Sequence, residues 1–355
     1  MEAFLNKHYI KDKIIAVGVS GGADSLALAL KAAEELKVFG RRIIALTVDH
    51  HLRPSSTDEA RFVAEIMRQH DIEHHILSWD GEKPTTGIEE AARIARYNLI
   101  QKWCDENGVK TLMTAHHLYD QIETFLMRLQ RGSGLEGLCC IREVSFWNGL
   151  TVLRPFIHTK PQELQQYLQQ RHISWIHDES NDDENFLRVK MRRFIPELVA
   201  QTQITPERFD EAVSNLQSAE NFISTEVKQV LTTDIENHYD TVFSFKHTTY
   251  LQWHPELKFR LISRLCKRQY IPRADSILSL IAALNKLPFS GTTLGGKEII
   301  MAYKQIWILP ELAGKRRSSR QLWKDFTATH PSYKNKKIPH KARLAILEKV
   351  NNDIQ

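Results

Sequence analysis

Short apolar runs alternate with stretches of helical period through the first 130 residues. Ile14–Val19 reads as a buried strand, and Leu26-Ala27-Leu28-Ala29-Leu30 with Ala33 and Leu36 continues as a helix. Arg42–Val48 is the next strand, followed by a helix over Ser56–Gln69. Ile72–Trp79 precedes a helix over Ile88–Glu106, with Ile88, Ala91, Ala92, Ala95 and Leu99 on one face. Val109–Ala115 leads into a helix over Tyr119–Gln130; Val152–Phe156 adds a strand and Pro161–Gln170 a helix. This β-α repetition predicts an α/β fold, a parallel sheet of roughly five strands with helices on both faces and right-handed crossovers. Thr-Gln-Ile-Thr-Pro within Ala200–Pro206 breaks the pattern and closes a first domain at 1–205. A long helix from Pro206 past Phe222 opens a smaller, mostly helical α+β domain over 206–312. In it Leu257–Arg268 is helical, with Arg260, Arg264 and Arg268 on one face, and Ile299–Leu309 is a strand after a Gly295-Gly296 turn.

Composition narrows the class. The chain has 355 residues, of which 42% are hydrophobic, as expected of a globular protein with more than one domain. No apolar run spans a bilayer, and Met1–Lys13 is polar without a signal-peptide core, so a cytoplasmic protein away from membranes is expected. Cys104, Cys139, Cys140 and Cys266 form no C-x-x-C pair and read as reduced thiols. The net charge of +5 is uneven: from Lys315 to Gln355 there are eleven Lys/Arg against three Asp/Glu. Residues 313–355 are therefore set apart as a basic tail, a solvated segment or a nucleic-acid contact.

The chemistry starts at Ser20-Gly21-Gly22-Ala23-Asp24-Ser25, a glycine-rich loop between the first strand and the first helix. Bare backbone N–H groups and a helix N-terminus hold an anion there, and the two serines add hydroxyl donors. Asp24 beside a polyphosphate repels it unless a cation lies between, which argues for Mg²⁺. The loop is neither a Walker A loop nor a dinucleotide fingerprint. Gly291-Thr-Thr-Leu-Gly-Gly296-Lys297-Glu298 nearly matches Walker A, but Glu stands where the hydroxyl belongs and a strand follows, so it reads as a turn.

Ligands of open α/β sheets bind at the carboxyl ends of the strands. Three polar clusters fall there: Ser20–Ser25, then Asp49-His50-His51-Leu52-Arg53, then His116-His117 with Asp120, Glu123 and Thr124. Asp120 and Glu123 are three apart and share a helix face. They are first-turn acids, or holders of Mg²⁺ or an incoming ammonium. His116 and His117 are packed histidines or groups that touch phosphate and move protons. His74-His75 start the third strand, away from that edge, and read as structural. Arg93 and Arg96 lie beside Tyr97 on one helix, a solvated face or a phosphate contact.

The loop matches the S-G-G-x-D-S signature of the PP-loop ATP pyrophosphatases. With Val48-Asp49-His50, Leu52-Arg53, Glu90-Ala-Ala-Arg93, Ala95-Arg96-Tyr97, Ala115-His116-His117, Asp120-Gln121 and Glu123-Thr124, the chain resembles the bacterial tRNA(Ile)-lysidine synthetases. Arg131-Gly-Ser-Gly-Leu135, Gly137-Leu138, Arg154-Pro155 and Asp178 with Ser180-Asn181 extend the match over about 180 residues. The likeness is looser over about 215–312.

The resemblance implies that ATP adenylates the C2 carbonyl oxygen of the wobble cytidine of tRNA(Ile) with a CAU anticodon. Free L-lysine then attacks C2 and expels AMP. It implies that Ser20, Gly21, Gly22, Ala23, Asp24, Ser25, Asp49 and His50 hold ATP. Asp24 and Asp120 hold Mg²⁺, and Asp24, Asp120, Glu123 and His116 act in catalysis. Arg93, Arg96, Arg131, Arg192 and Arg193 are the implied tRNA contacts. Dimers of related enzymes add a homodimer to the expected partners. Two departures stand out: Tyr119 replaces the first acid of the family's Asp-Asp-Gln, and Val189 follows Arg188 where the family has Asn. The full second C-terminal domain of longer relatives is not expected, and the basic tail is a partial substitute for it or a remnant of it. The competing expectations are another PP-loop enzyme such as a tRNA thiolase, or a tRNA-binding homologue without catalysis.

Overall fold

A computed structural model of the chain describes residues 1–177, 187–267, 270–311 and 320–354. Arg268 and the Asp178, Ser180 and Asn181 positions lie outside the described residues. Two compact units divide the chain, Met1–Ser218 and Ala219–Gln355. The division falls inside a helix instead of at the loop near 205, because Pro206 starts that helix without ending the packing of the first unit.

The first unit carries α1 (Glu2–Lys7), β1 (Ile14–Gly18), α2 (Ala23–Lys37), β2 (Arg42–Asp49), α3 (Ser56–Gln69), β3 (Glu73–Ser78) and α4 (Ile88–Glu106). It continues with β4 (Thr111–Met113), α5 (Leu118–Gln130), α6 (Leu135–Leu138), β5 (Val144–Trp147), β6 (Leu150–Leu153), α7 (Pro161–Gln169), α8 (Leu187–Thr202) and the start of α9 (Pro206–Thr233). The sheet order is β3-β2-β1-β4-β6-β5. The first five run parallel, and β5 pairs antiparallel with β6 at the edge. β1 is central and buried on both faces. Ile15 and Val17 enter one core with Leu26, Leu30, Val63 and Met67, while Ala16 enters the other with Ile44, Leu46, Tyr97 and Ile100. That alternation is the period-two geometry of a strand, and two covered faces are what a parallel sheet requires. α2 is buried almost all round, which explains its continuous Leu/Ala run.

The second unit holds β7 (Glu236–His238), β8 (Val242–Lys246), α10 (His247–Gln252), α11 (Pro255–Leu265), α12 (Ala274–Leu284), β9 (Thr292–Leu294), β10 (Lys297–Ala302), β11 (Gln305–Pro310), α13 (Arg320–Thr329) and α14 (His340–Ile354). Its sheet is antiparallel, ordered β7-β8-β11-β10-β9. The near-Walker sequence is a hairpin turn at Gly295-Gly296, between β9 and β10. The expected strand Ile299–Leu309 is two strands, turned at Tyr303-Lys304 with both residues at positive φ, 56° and 64°. Neither residue is glycine, so the turn left no mark in the sequence.

The described part of the basic tail, 320–354, packs on the second sheet. Phe326, Ile338, Ala342, Ala345, Ile346 and Leu347 are buried against Val242, Trp307 and Leu309 of the second sheet. The apolar positions of this segment form a core face, while Lys324 and Lys341 on the same helices, and Lys334, Lys336 and Lys337 between them, are exposed.

Candidate active site

β2 and β4 flank β1, so the chain leaves β1 toward one side and returns on the other. This switch point opens a crevice between the loops after β1 and β4. Ser20–Ser25 forms one wall. Gly21 has φ +90°, and a Cβ there would lie 2.5 Å from Ile176 Cδ1 and 3.2 Å from Val63 Cγ2. Glycine is thus required for both torsion and space. The Ile176 N–H donates to the Gly21 carbonyl at 2.9 Å and fixes the loop from outside. Ser25 Oγ accepts from the Ser20 N–H at 3.1 Å and donates to the Gly22 carbonyl at 3.0 Å, so this serine shapes the loop. No side chain caps α2 at Gly22, so its first-turn N–H groups are left for an anion.

Asp24 lies in that first turn with its side chain 34% exposed, and its Oδ1 is buried with no hydrogen-bond partner among the described residues. Its Oδ2 is 3.5 Å from His117 Nε2, across the crevice. His117 is the N-cap of α5 and forms a capping box with Asp120: the Asp120 N–H donates to His117 Nδ1 and the His117 N–H donates to Asp120 Oδ2 at 2.9 Å. Burial alone would lower the His117 pKa; the hydrogen bond to Asp24 and the charges of Asp120, Asp24 and Glu123 outweigh it and hold it above its ordinary value. His116 is the opposite case. Burial pushes it down to about 4, so its ring is neutral, and Nδ1 is 3.0 Å from Thr114 Oγ1.

Asp120 and Glu123 are not open to the crevice as free carboxylates. Arg188 reaches Asp120 Oδ1 at 2.5 Å and Glu123 Oε2 at 2.6 Å, and Arg192 reaches Glu123 Oε1 at 2.6 Å. Glu123 is fully buried. Burial pushes Asp120 up, but the charges of His117, Arg188 and His116 and the His117 backbone bond hold it below the usual carboxylate range. Arg188 is thus a site residue that the sequence left among the departures from the family. Its spacing to Arg192, four residues on one helix face, was the available signal.

At the end of β2, Asp49 is buried and accepts from the His51 N–H at 3.0 Å and Thr57 Oγ1 at 2.8 Å. Burial raises its pKa, and bonds from Ser56, His51 and Thr57 more than offset that. Asp49 therefore organises the β2–α3 turn. His50 is different: both ring nitrogens are buried without a partner among the described residues, and burial with the charges of Arg96 and Lys83 lowers its pKa to about 4. His74 bonds Thr47 Oγ1 at 2.8 Å, the structural role expected for it.

The arginines expected at tRNA separate. Arg93, Arg96, Arg131 and Arg193 are exposed, whereas Arg192 is tied to Glu123. Arg93 is bound to Glu90 at 2.8 Å and lies over the rings of Tyr97 and Trp147. Arg154, at the end of β6, is buried; it donates to the Arg142 carbonyl and Ser145 Oγ at 2.9 Å each, and its Nε has no partner.

A family model described as a PP-loop domain matches residues 1–198. A curated tRNA(Ile)-lysidine synthase of Wolbachia pipientis is 33% identical over 304 residues, covering 84% of this chain and 70% of that protein. The chain belongs to the tRNA(Ile)-lysidine synthase family. A Bradyrhizobium member is 42% identical over 190 residues, 53% of each chain, so the present chain spans about half the length of several curated relatives it matches. Among solved structures, a U34-tRNA thiolase from Methanococcus maripaludis shares the fold, with a TM-score of 0.51 at 17% identity over 58% of this chain and 72% of that one. All four cysteines are buried, and burial pushes Cys104, Cys140 and Cys266 up to about 12.

Proposed function

We propose that this lysidine-synthase family member adenylates the wobble cytidine of tRNA(Ile) bearing a CAU anticodon and then joins free L-lysine to C2, releasing AMP and forming lysidine. The observation that carries this reading is the crevice itself: an uncapped helix N-terminus whose own first-turn carboxylate, Asp24, keeps Oδ1 without a partner among the described residues. The Ser20–Ser25 loop holds the departing pyrophosphate through backbone N–H groups. Asp24 suits Mg²⁺, which commonly takes one or two carboxylates and completes its shell with phosphate and water. When bound, the ion neutralises charge on the polyphosphate. Asp120 is better assigned to positioning than to the metal, because one oxygen is held by Arg188 and the other by the His117 N–H.

His117 orients Asp24 and places a proton at Nε2, toward the crevice. Neutral His116 is a hydrogen-bond partner or proton acceptor for the substrate. Glu123 and Asp120 form the acidic wall for the lysine ammonium, which reaches them by exchanging with a guanidinium of Arg188 or Arg192. Arg93, Arg96, Arg131 and Arg193 supply phosphate contacts.

The test is incubation with ATP, Mg²⁺, labelled lysine and a tRNA(Ile) transcript. Lysine incorporation matched by AMP release is expected. Sulfur incorporation, or tRNA binding with no AMP, contradicts the reading.

A further inference from the structure

The loop after β3 belongs to none of the clusters discussed above. The parallel order β3-β2-β1 puts the end of β3 on the same sheet edge as the phosphate loop, two strands and roughly 10 Å away. Trp79 is half-buried there; its backbone N–H donates to the Asp49 carbonyl at 2.9 Å, and its ring lies perpendicular to that of His50 with centroids 5.6 Å apart. The Lys83 ammonium lies over the Trp79 ring, 3.9 Å from its centroid, and donates to the Trp79 carbonyl. Among the described residues neither Lys83 nor Arg96 has a carboxylate partner, and both act on the neutral His50 ring, whose two nitrogens are unsatisfied there. Nearby Asp80 is turned to the Ser78 hydroxyl at 2.8 Å.

An aromatic face, two cations and an unsatisfied imidazole in one corner suit a nucleotide. ATP places its negative charge at the β1 loop, and its neutral adenine has no use for two cations. A base carrying its own phosphate at this distance is a unit of single-stranded RNA. Resting on the proposed function, we propose that Trp79, Lys83, Arg96 and His50 form a subsite for one anticodon-loop nucleotide next to the modified base. Its base stacks on Trp79, on the face now covered by the Lys83 ammonium. Lys83 and Arg96 take its phosphate, and His50 meets the base edge.

The test uses the full chain and an anticodon stem-loop RNA, with ATP affinity measured in parallel. Trp79→Ala weakens RNA binding roughly tenfold, Trp79→Phe restores most of it, and the ATP Kd is unchanged. Lys83→Ala, on the surface and safe for folding, lowers the slope of log K against log salt by about 0.7. RNA affinity and salt slope equal to wild type in both variants overturn the subsite. So does an ATP Kd that rises as much as the RNA Kd, which would give the corner to adenine, or a wild type that binds no stem-loop. A wild type that binds the stem-loop but incorporates no lysine sinks the proposed reaction and leaves the subsite standing.

Discussion

The two acidic walls of the crevice differ in how their charge is satisfied. After β1, Asp24 keeps an oxygen with no partner in the first turn of an uncapped helix. At the start of α5, Asp120 and Glu123 spend their oxygens on Arg188, Arg192 and the His117 backbone. Leaving a buried acceptor unmade is costly, so an Asp24 oxygen unpaired among the described residues is the position the proposed function gives to a bound ligand. The paired wall needs no ligand to be stable. On the proposed function the unpaired wall takes the cation and polyphosphate, and the paired wall holds its geometry until the lysine ammonium exchanges with a guanidinium.

The largest expected break in this comparison is Asp24→Ala. AMP formation falls at least a hundredfold while tRNA affinity holds, read by single-turnover assay and filter binding. Equal turnover would remove Asp24 from the chemistry. Next is Gly21→Ala, where a left-handed torsion and the 2.5 Å approach to Ile176 act together. A loss of about 2–3 kcal/mol in urea unfolding is expected, with weakened ATP binding.

Glu123→Gln follows. Breaking a buried pair costs about 3–5 kcal/mol, but both guanidiniums here are more than a third exposed, so about 2 kcal/mol is expected. A stability equal to wild type would mean the arginine pairs contribute nothing.

The smallest effect sharpens the contrast through pH. His50, His74 and His116 titrate near 4 when folded, below the 6.5 of the unfolded chain. The unfolded state binds more protons in that window, so these groups make stability rise from about pH 4 to 6.5. His117 and His158 are raised instead. Their contribution is complete below the unfolded pKa and is lost as pH rises through the folded one. Histidine ring NMR should separate the two classes. A His117 titrating with His116 would contradict the Asp24 contact.

Much of the first unit was legible because its cues are local. The Val-Gly-Val-Ser-Gly-Gly passage and the Leu/Ala run fix strand, turn and helix within a few residues, and β1 to α5 appear where periodicity puts them. β5 was missed, though Asn148-Gly149 is a strong hairpin signal and both residues have positive φ, 43° and 90°. α8 was missed because Pro196 lies inside it. The site was legible as a list of residues, since strand ends can be found from sequence. Their pairing was not, since Arg188 meets Glu123 across 65 positions of chain. For the tail, composition reported its charge, and only the packing of Phe326 and Ile346 shows that its apolar positions form a core.

The most direct test of the difference between the walls is a Mg²⁺ titration of tRNA-dependent AMP formation in Asp24→Asn and Asp120→Asn. Asp24→Asn should raise the Mg²⁺ concentration for half-maximal rate at least tenfold. Asp120→Asn should lower the rate and leave that concentration where it is in the wild type. A shift confined to Asp120→Asn, with Asp24→Asn titrating as wild type, would place the metal on the other wall and contradict the account.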